Sequence, residues 1–306
     1  LTSGTYNVTI TDVNGCTVTD SGTVAQPNSL SVAATPVDAT CNGACNGTLT
    51  ASGSGGTAGY SYSWIGGLGT GSTKSGVCSG SYTVSVTDAN GCSATATATV
   101  TEPTPVSATV TGANVSCNGG NNGTATATPT GGTGSYTYLW SNSSTTAGIS
   151  GLTPGAYSLT VTDGNNCTAI SGYTVTQPTA LSVSASGTNA LCNGVCEGSA
   201  TGIGSGGTTP YSYEWGSVSG FQITQTATGL CAGTHNITIT DNKGCAITDS
   251  FLVTEPSAIN LSTSSTDAVC GNSNGSATVN ATGGIPGYNY LWQNSQTSQT
   301  ATGLAA

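Results

Sequence analysis

Twelve cysteines are the most reactive side chains in this 306-residue sequence, and the residues around them limit what they can do. The chain has one histidine, His235, two lysines, Lys74 and Lys243, no arginine and no methionine. Zinc sites usually draw on tight Cys-x-x-Cys or Cys/His pairs. The wide spacings here point to disulfides instead, and hence to an oxidising location, extracellular or on a cell surface. Acid–base catalysis needs paired titratable groups. Glu197 and Glu214 stand alone, and the sequence reads as a non-enzyme without a cofactor. Four turn aspartates, Asp12, Asp88, Asp163 and Asp241, are the only calcium candidates, and weak ones. Each turn supplies one acid, whereas calcium takes about six to eight oxygens.

The net charge of −10 argues against nucleic acid, because phosphate binding needs lysine and arginine to displace counterions. It argues equally against an anionic membrane surface. No apolar run approaches the roughly 20 residues of a membrane-spanning helix.

The elements that position these cysteines repeat. Trp64, Trp140, Trp215 and Trp292 recur at steps of 76, 75 and 77 residues. The turns "TDVNGC", "TDANGC", "TDGNNC" and "TDNKGC" keep the same step, and so do Pro27, Pro103, Pro178 and Pro256. Proline ends a strand and stiffens a connection, so these prolines mark junctions. Three units are expected at 28–103, 104–178 and 179–256. Residues 1–27 read as the end of a preceding unit, and 257–306 as the front of a following one. The sequence is therefore expected to be a segment of a longer chain.

Within a unit the apolar pattern has period two, which specifies strands. Tyr60, Tyr62 and Trp64 share one face, as do Tyr82, Val84 and Val86. The predicted core includes Tyr62, Trp64, Tyr138, Trp140, Tyr213, Trp215, Tyr290 and Trp292. "D-x-N-G" is hairpin-turn chemistry. Six or seven short strands in some 75 residues predict an all-β fold, a tandem array of small immunoglobulin-like β-sandwiches of about 76 residues each. Such small units bury little surface, and each disulfide is expected to add about 2–4 kcal/mol. His235 replaces Tyr82 and is expected to pack at a sheet edge.

The cysteines fall into classes. Cys45 and Cys78 occur together in one unit, Cys196 and Cys231 in another, and Asn121 and Thr153 replace both in the unit between. Cysteines that come and go together are expected to be bonded, as Cys45–Cys78 and Cys196–Cys231. The remaining classes are Cys41, Cys117, Cys192 and Cys270 in "CNG" or "CGN" loops, and Cys16, Cys92, Cys167 and Cys245 at the turns. A strand rises about 3.3 Å per residue, which puts Cys78 and Cys92 roughly 25 Å apart. A Cys41–Cys92 bond would then need an almost fully stretched path. The pairing Cys41–Cys167 and Cys117–Cys245 would clamp successive units. The pairing Cys41–Cys92, Cys117–Cys167 and Cys192–Cys245 would stay inside each unit, where disulfides are commoner. Both remain open.

The combination "GGTGSYTYLW" with "GLTPGAYSLTVTDGNNC" resembles the SprB-type repeat of very large cell-surface proteins of Bacteroidota, including gliding-motility adhesins. The resemblance extends over essentially the whole chain. It implies export, by the type IX system, and display as filaments or adhesins. The expected function is a structural or adhesive segment of a long extracellular filament. Its expected partners are neighbouring repeats, other copies in a fibre, and a surface or glycan ligand. The alternative is an array of glycan-binding modules acting through exposed loops or aromatics. The stretches after the tryptophans, "IGGLGTGSTKSG" and "SNSSTTAGIS", share no polar set, which favours the structural reading.

Overall fold

A computed structural model describes residues 1–216, 220–269 and 271–305, and every element in it is a strand or a turn. It divides into two compact units. One comprises Leu1–Thr111, Ala125–Ile149 and Ala156–Tyr173, and the other Gly112–Thr124, Ser150–Gly155 and Thr174–Ala306.

The chain opens with a hairpin, β1 (Gly4–Thr11) and β2 (Thr17–Val24). The next seven strands are β3 (Ser31–Val37), β4 (Gly47–Ser54), β5 (Ser61–Ile65), β6 (Gly69–Thr70), β7 (Thr73–Val77), β8 (Gly80–Thr87) and β9 (Ser93–Val100). They form two sheets, in the orders β3-β4-β7 and β6-β5-β8-β9, with antiparallel pairing throughout. Apart from the two-residue edge strand β6, which the later repeats lack among the described residues, this is the order of an immunoglobulin constant domain without strand D. The same scheme recurs in β10 (Ser107–Ala113), β11 (Gly123–Thr130), β12 (Thr137–Trp140), β13 (Gly148–Leu152), β14 (Gly155–Thr162) and β15 (Thr168–Val175). It recurs again in β16 (Ser182–Thr188), β17 (Gly198–Ser205), β18 (Ser212–Trp215), β19 (Thr226–Leu230), β20 (Gly233–Thr240) and β21 (Ala246–Val253). Three strands close the chain: β22 (Asn260–Thr266), β23 (Gly275–Thr282) and β24 (Thr300–Leu304), in one sheet.

Alternation determines what is buried. In β9, "SATATATV", the alanines and Val100 face inward and the threonines outward, where Thr97 meets Thr83 across the pair at 2.9 Å. The core between the two sheets of Ser31–Val100 holds Leu49, Ala51, Trp64, Val77, Val84, Ala98 and Val100, with Tyr62 and Tyr82 packed on it. Its counterpart at Ser182–Val253 holds Ala200, Trp215, Leu230, Ile237 and Ile239, with Tyr213 alongside. Trp64, Trp140 and Trp215 are buried, and their indole N–H groups donate to the carbonyls of Gly71, Thr146 and Thr224. Tyr138 and Tyr290 are half-buried. Trp292 is only half-buried as well, because no second sheet covers β22–β24 among the described residues.

Two details depart from the sequence reading. The polar stretch after each tryptophan contains a strand (β7, β13 or β19) that completes a sheet, and its last residue (Val77, Leu152 or Leu230) is buried. One or two large apolar residues in a Gly/Ser/Thr-rich run leave too faint a period-two signal to show this. His235 is fully buried, and its Nε2–H donates to the Cys231 carbonyl at 2.8 Å, just as the Tyr82 hydroxyl donates to Cys78. This is the tyrosine corner of immunoglobulin-like domains, built once with imidazole.

The "GGT" turns need glycine for space as well as for backbone freedom. Gly56 has φ of 58°, and a Cβ there would lie 2.5 Å from the Asp88 carboxylate. Gly91, in the "DANG" turn, has φ of 81° but open space around it. The left-handed backbone alone costs an alanine about 1–2 kcal/mol. Urea unfolding should therefore show Gly91→Ala losing about that much, and Gly56→Ala clearly more.

Candidate functional site: a disulfide clamp between repeats

The geometry starts from the turn aspartates. Asp163 ends β14, and its Oδ1 accepts the N–H groups of Asn165 (2.9 Å) and Cys167 (2.8 Å). Its Oδ2 accepts the Thr133 N–H of the "GGT" turn at 2.8 Å. Asp88 is bound the same way by Asn90, Cys92 and Thr57, and Asp241 by Lys243, Cys245 and Thr208. Asp12 accepts from Asn14 and Cys16. The three interior carboxylates are buried, with both oxygens occupied by backbone donors. That accounts for them as turn anchors, and no group of three metal-ligating side chains occurs among the described residues.

These hydrogen bonds hold the carboxylates below their ordinary pKa. For Asp88 the Thr57 N–H is the main cause. For Asp163 and Asp241 burial opposes ionisation, and the surrounding N–H groups outweigh it.

Each anchored turn presents a cysteine. Cys167 is bonded to Cys41 and Cys245 to Cys117, each pair with its Cα atoms 5.7 Å apart. Both bonds join the "CNG" loop of one repeat to the turn of the next. Asn165 adds a hydrogen bond across the same contact, donating to the Thr40 carbonyl at 3.1 Å. The other two bonds, Cys45–Cys78 and Cys196–Cys231, stay inside a repeat and tie the residues just before β4 and β17 to those just after β7 and β19. Cys92 is unbonded and exposed, as are Cys16 and Cys192, and Cys270 lies outside the described residues. The within-repeat pairings Cys41–Cys92, Cys117–Cys167 and Cys192–Cys245 do not occur: an extended β8 holds the turn at the opposite end of the sandwich from its own "CNG" loop.

The "CNG" loop is also fixed from behind by residues the sequence reading overlooked. The Gly43 N–H donates to the Glu102 carboxylate at 2.8 Å, and Asn42 donates to Glu102 and to the Pro103 carbonyl. Gly119 and Asn118 meet Gln177 and Pro178, and Gly194 and Asn193 meet Glu255 and Pro256. The available signal was a Glu or Gln before every junction proline. The loop is thereby pinned to the junction it must bridge, and its cysteine is aimed before the bond forms.

A tandem immunoglobulin-like array whose successive members are joined loop to turn by disulfides is the class these features define. Residues 33–69, 108–145 and 262–297 match the family model of the SprB repeat. Residues 182–253 have the same strand order outside those matches. No curated protein matches the chain. Similar solved structures include the N-terminal eight Ig domains of Down Syndrome Cell Adhesion Molecule isoform 1.30.30, at 12% identity and TM-score 0.31, covering 92% of this chain and 55% of that one. Immunoglobulin domains 1–5 of Sidekick-1 match at 12% identity and TM-score 0.36, covering 83% of this chain and 66% of that one. This chain thus spans less than two thirds of either.

Two outcomes follow. A group whose folded pKa is depressed stabilises the fold above its unfolded value, and loses that contribution as pH falls through the folded one. Thermal unfolding should therefore be insensitive to pH down to about 4, near the free aspartate value, and fall below it. Asp163→Asn should weaken this acid dependence and lower stability at neutral pH. Separately, a protease site placed at Thr104 and cut should leave one band of 29.6 kDa without reductant and two bands with it. Cys41→Ser should release the two pieces without reductant.

Proposed function

We propose that this chain is a tension-bearing segment of a long extracellular cell-surface filament or adhesin. The observation that carries the reading is the overlap of the clamps. The loop closed by Cys41–Cys167 and the loop closed by Cys117–Cys245 share residues 117–167, so no single backbone cut between Cys41 and Cys245 separates the chain. Closing loops of 126 and 128 residues removes unfolded-state entropy worth about 5 kcal/mol each in the chain-entropy model. Two lysines and no arginine leave a trypsin-like protease few sites. The SprB repeat is consistent with display by a Bacteroidota cell, including a role in gliding. Trp64, Trp140 and Trp215 are engaged in the cores, which leaves them unsuited to stack on sugars.

Pulling the chain by its ends tests the reading. With the disulfides intact, the shortest covalent path runs through residues 1–41, 117–167 and 245–306. Fully unfolded length under oxidising conditions should then be roughly half of the reduced value at some 3.3–3.6 Å per residue. Equal lengths in both conditions would reject a mechanical role for the clamps.

A further inference from the structure

Three asparagines follow the loop cysteines directly, and each precedes a glycine: Asn42-Gly43, Asn118-Gly119 and Asn193-Gly194. An Asn-Gly pair can close on itself. The glycine backbone nitrogen, having lost its proton, attacks the asparagine Cγ, and glycine has no side chain to hinder the approach. A bond forms from that nitrogen to Cγ, the Cγ–Nδ2 bond breaks, and ammonia leaves with the proton. Water then opens the resulting succinimide at either carbonyl, which gives aspartate or isoaspartate. All three pairs are exposed to the water this needs. Their backbones are alike too, with φ of 72–73° at each glycine and open space beside it.

What differs is the group across the junction. The Glu102 carboxylate accepts the Gly43 N–H at 2.8 Å through one oxygen and the Asn42 amide at 3.2 Å through the other. Glu255 holds Gly194 and Asn193 in the same fork, at 2.7 and 2.9 Å. The nucleophile and the leaving amide are thus both engaged, and the carboxylate charge disfavours a second anion on the glycine nitrogen. In the middle repeat the acceptor is Gln177. Its single oxygen takes the Gly119 N–H at 2.8 Å, and its other end is a donor. The Asn118 amide bonds the Pro178 carbonyl, at 3.0 Å, and no carboxylate. The same loop also lacks a second tether. Cys45–Cys78 and Cys196–Cys231 hold the other two loops, whereas Asn121 and Thr153 stand at those places here.

We propose that Asn118 is a modification site, deamidated spontaneously through a succinimide with Gly119, and that Glu102 shields Asn42 from the same reaction. Cys41 and Cys117 are both bonded in clamps, so these two loops compare like with like. The site is an ageing point for the second clamp. Cyclisation removes the Gly119 N–H and the Asn118 amide together, and these are the donors that pin the loop to Gln177 and Pro178. Opening to isoaspartate restores the N–H, but one carbon farther along the backbone from Cys117. The Cys117–Cys245 bond survives on a loop that the junction no longer aims.

The test ages the full 306-residue chain, disulfides intact, in warm, mildly alkaline buffer. Peptide mapping follows each site, with isoaspartate separated from aspartate. A like charge beside an ionising group shifts its equilibrium by about tenfold or more, so Asn118 should convert about tenfold faster than Asn42, with isoaspartate among its products. Unfolded in urea with reductant, the two sites should convert at one rate. Gln177→Glu should slow Asn118 to the pace of Asn42, and Glu102→Gln should speed Asn42 by a similar factor. Both variants keep an acceptor for the glycine N–H. Ageing should also make Cys117–Cys245 open sooner to limited reductant and leave Cys41–Cys167 unchanged. Equal rates at Asn42 and Asn118 in the folded chain overturn the proposal. So do a difference that persists in urea, aspartate without isoaspartate at Asn118, swaps at 102 and 177 that change neither rate, or an aged Cys117–Cys245 no easier to reduce.

Discussion

A buried carboxylate saturated by backbone N–H groups is the constraint on which each repeat depends. Asp88, Asp163 and Asp241 end the central strand of one sheet and accept N–H groups both from their own turn and from the "GGT" loop that leads into the preceding strand of that sheet. A buried acceptor left unmatched would be costly, so the bonds lock two loops at one end of the sandwich. The glycine beside the carboxylate follows from this, since a Cβ at Gly56, Gly132 or Gly207 would lie 2.5–2.6 Å from the acid. The direction of the cysteine follows too, because its own N–H is one of the donors.

The clamp turns this local order into order between repeats. Small cores of alanine, valine, a few leucines or isoleucines and one tryptophan offer modest apolar burial, and a short proline junction alone would leave neighbours free to swing. Instead the "CNG" loop is pinned to the junction by Glu102, Gln177 or Glu255, and the turn is pinned by its aspartate. Two preorganised loops then need little further ordering to form the bond. The optional disulfides Cys45–Cys78 and Cys196–Cys231 do a different task, joining strands of one repeat. The repeat between them manages with Asn121 and Thr153 at those places.

Overlap separates this array from beads on a string. In a string of independent domains, one broken backbone bond in any linker parts the chain. Here each clamp begins inside the span of the one before, and the linkers near Pro103 and Pro178 are each bridged by a disulfide. Durability then comes from connectivity, and it does not require large cores or dense charge networks.

Much of this was legible in the sequence. The period of the tryptophans, prolines and turns identified repeats, and period-two alternation identified strands with Trp64, Trp140 and Trp215 facing inward. Both signals are local, and burial on one face of a strand has to be written at every second residue. The joint appearance of Cys45 with Cys78 carried their pairing for the same kind of reason, through comparison of copies within one chain. The weak strands β7, β13 and β19 left almost no such trace, because the partner strand supplies most of what makes them strands. The choice among the cysteines at the turns and "CNG" loops was not in the sequence either. Spacing limits how far a chain can reach but not which way a turn faces, and only the docking of one repeat's turn on the previous repeat's loop makes Cys167 the neighbour of Cys41.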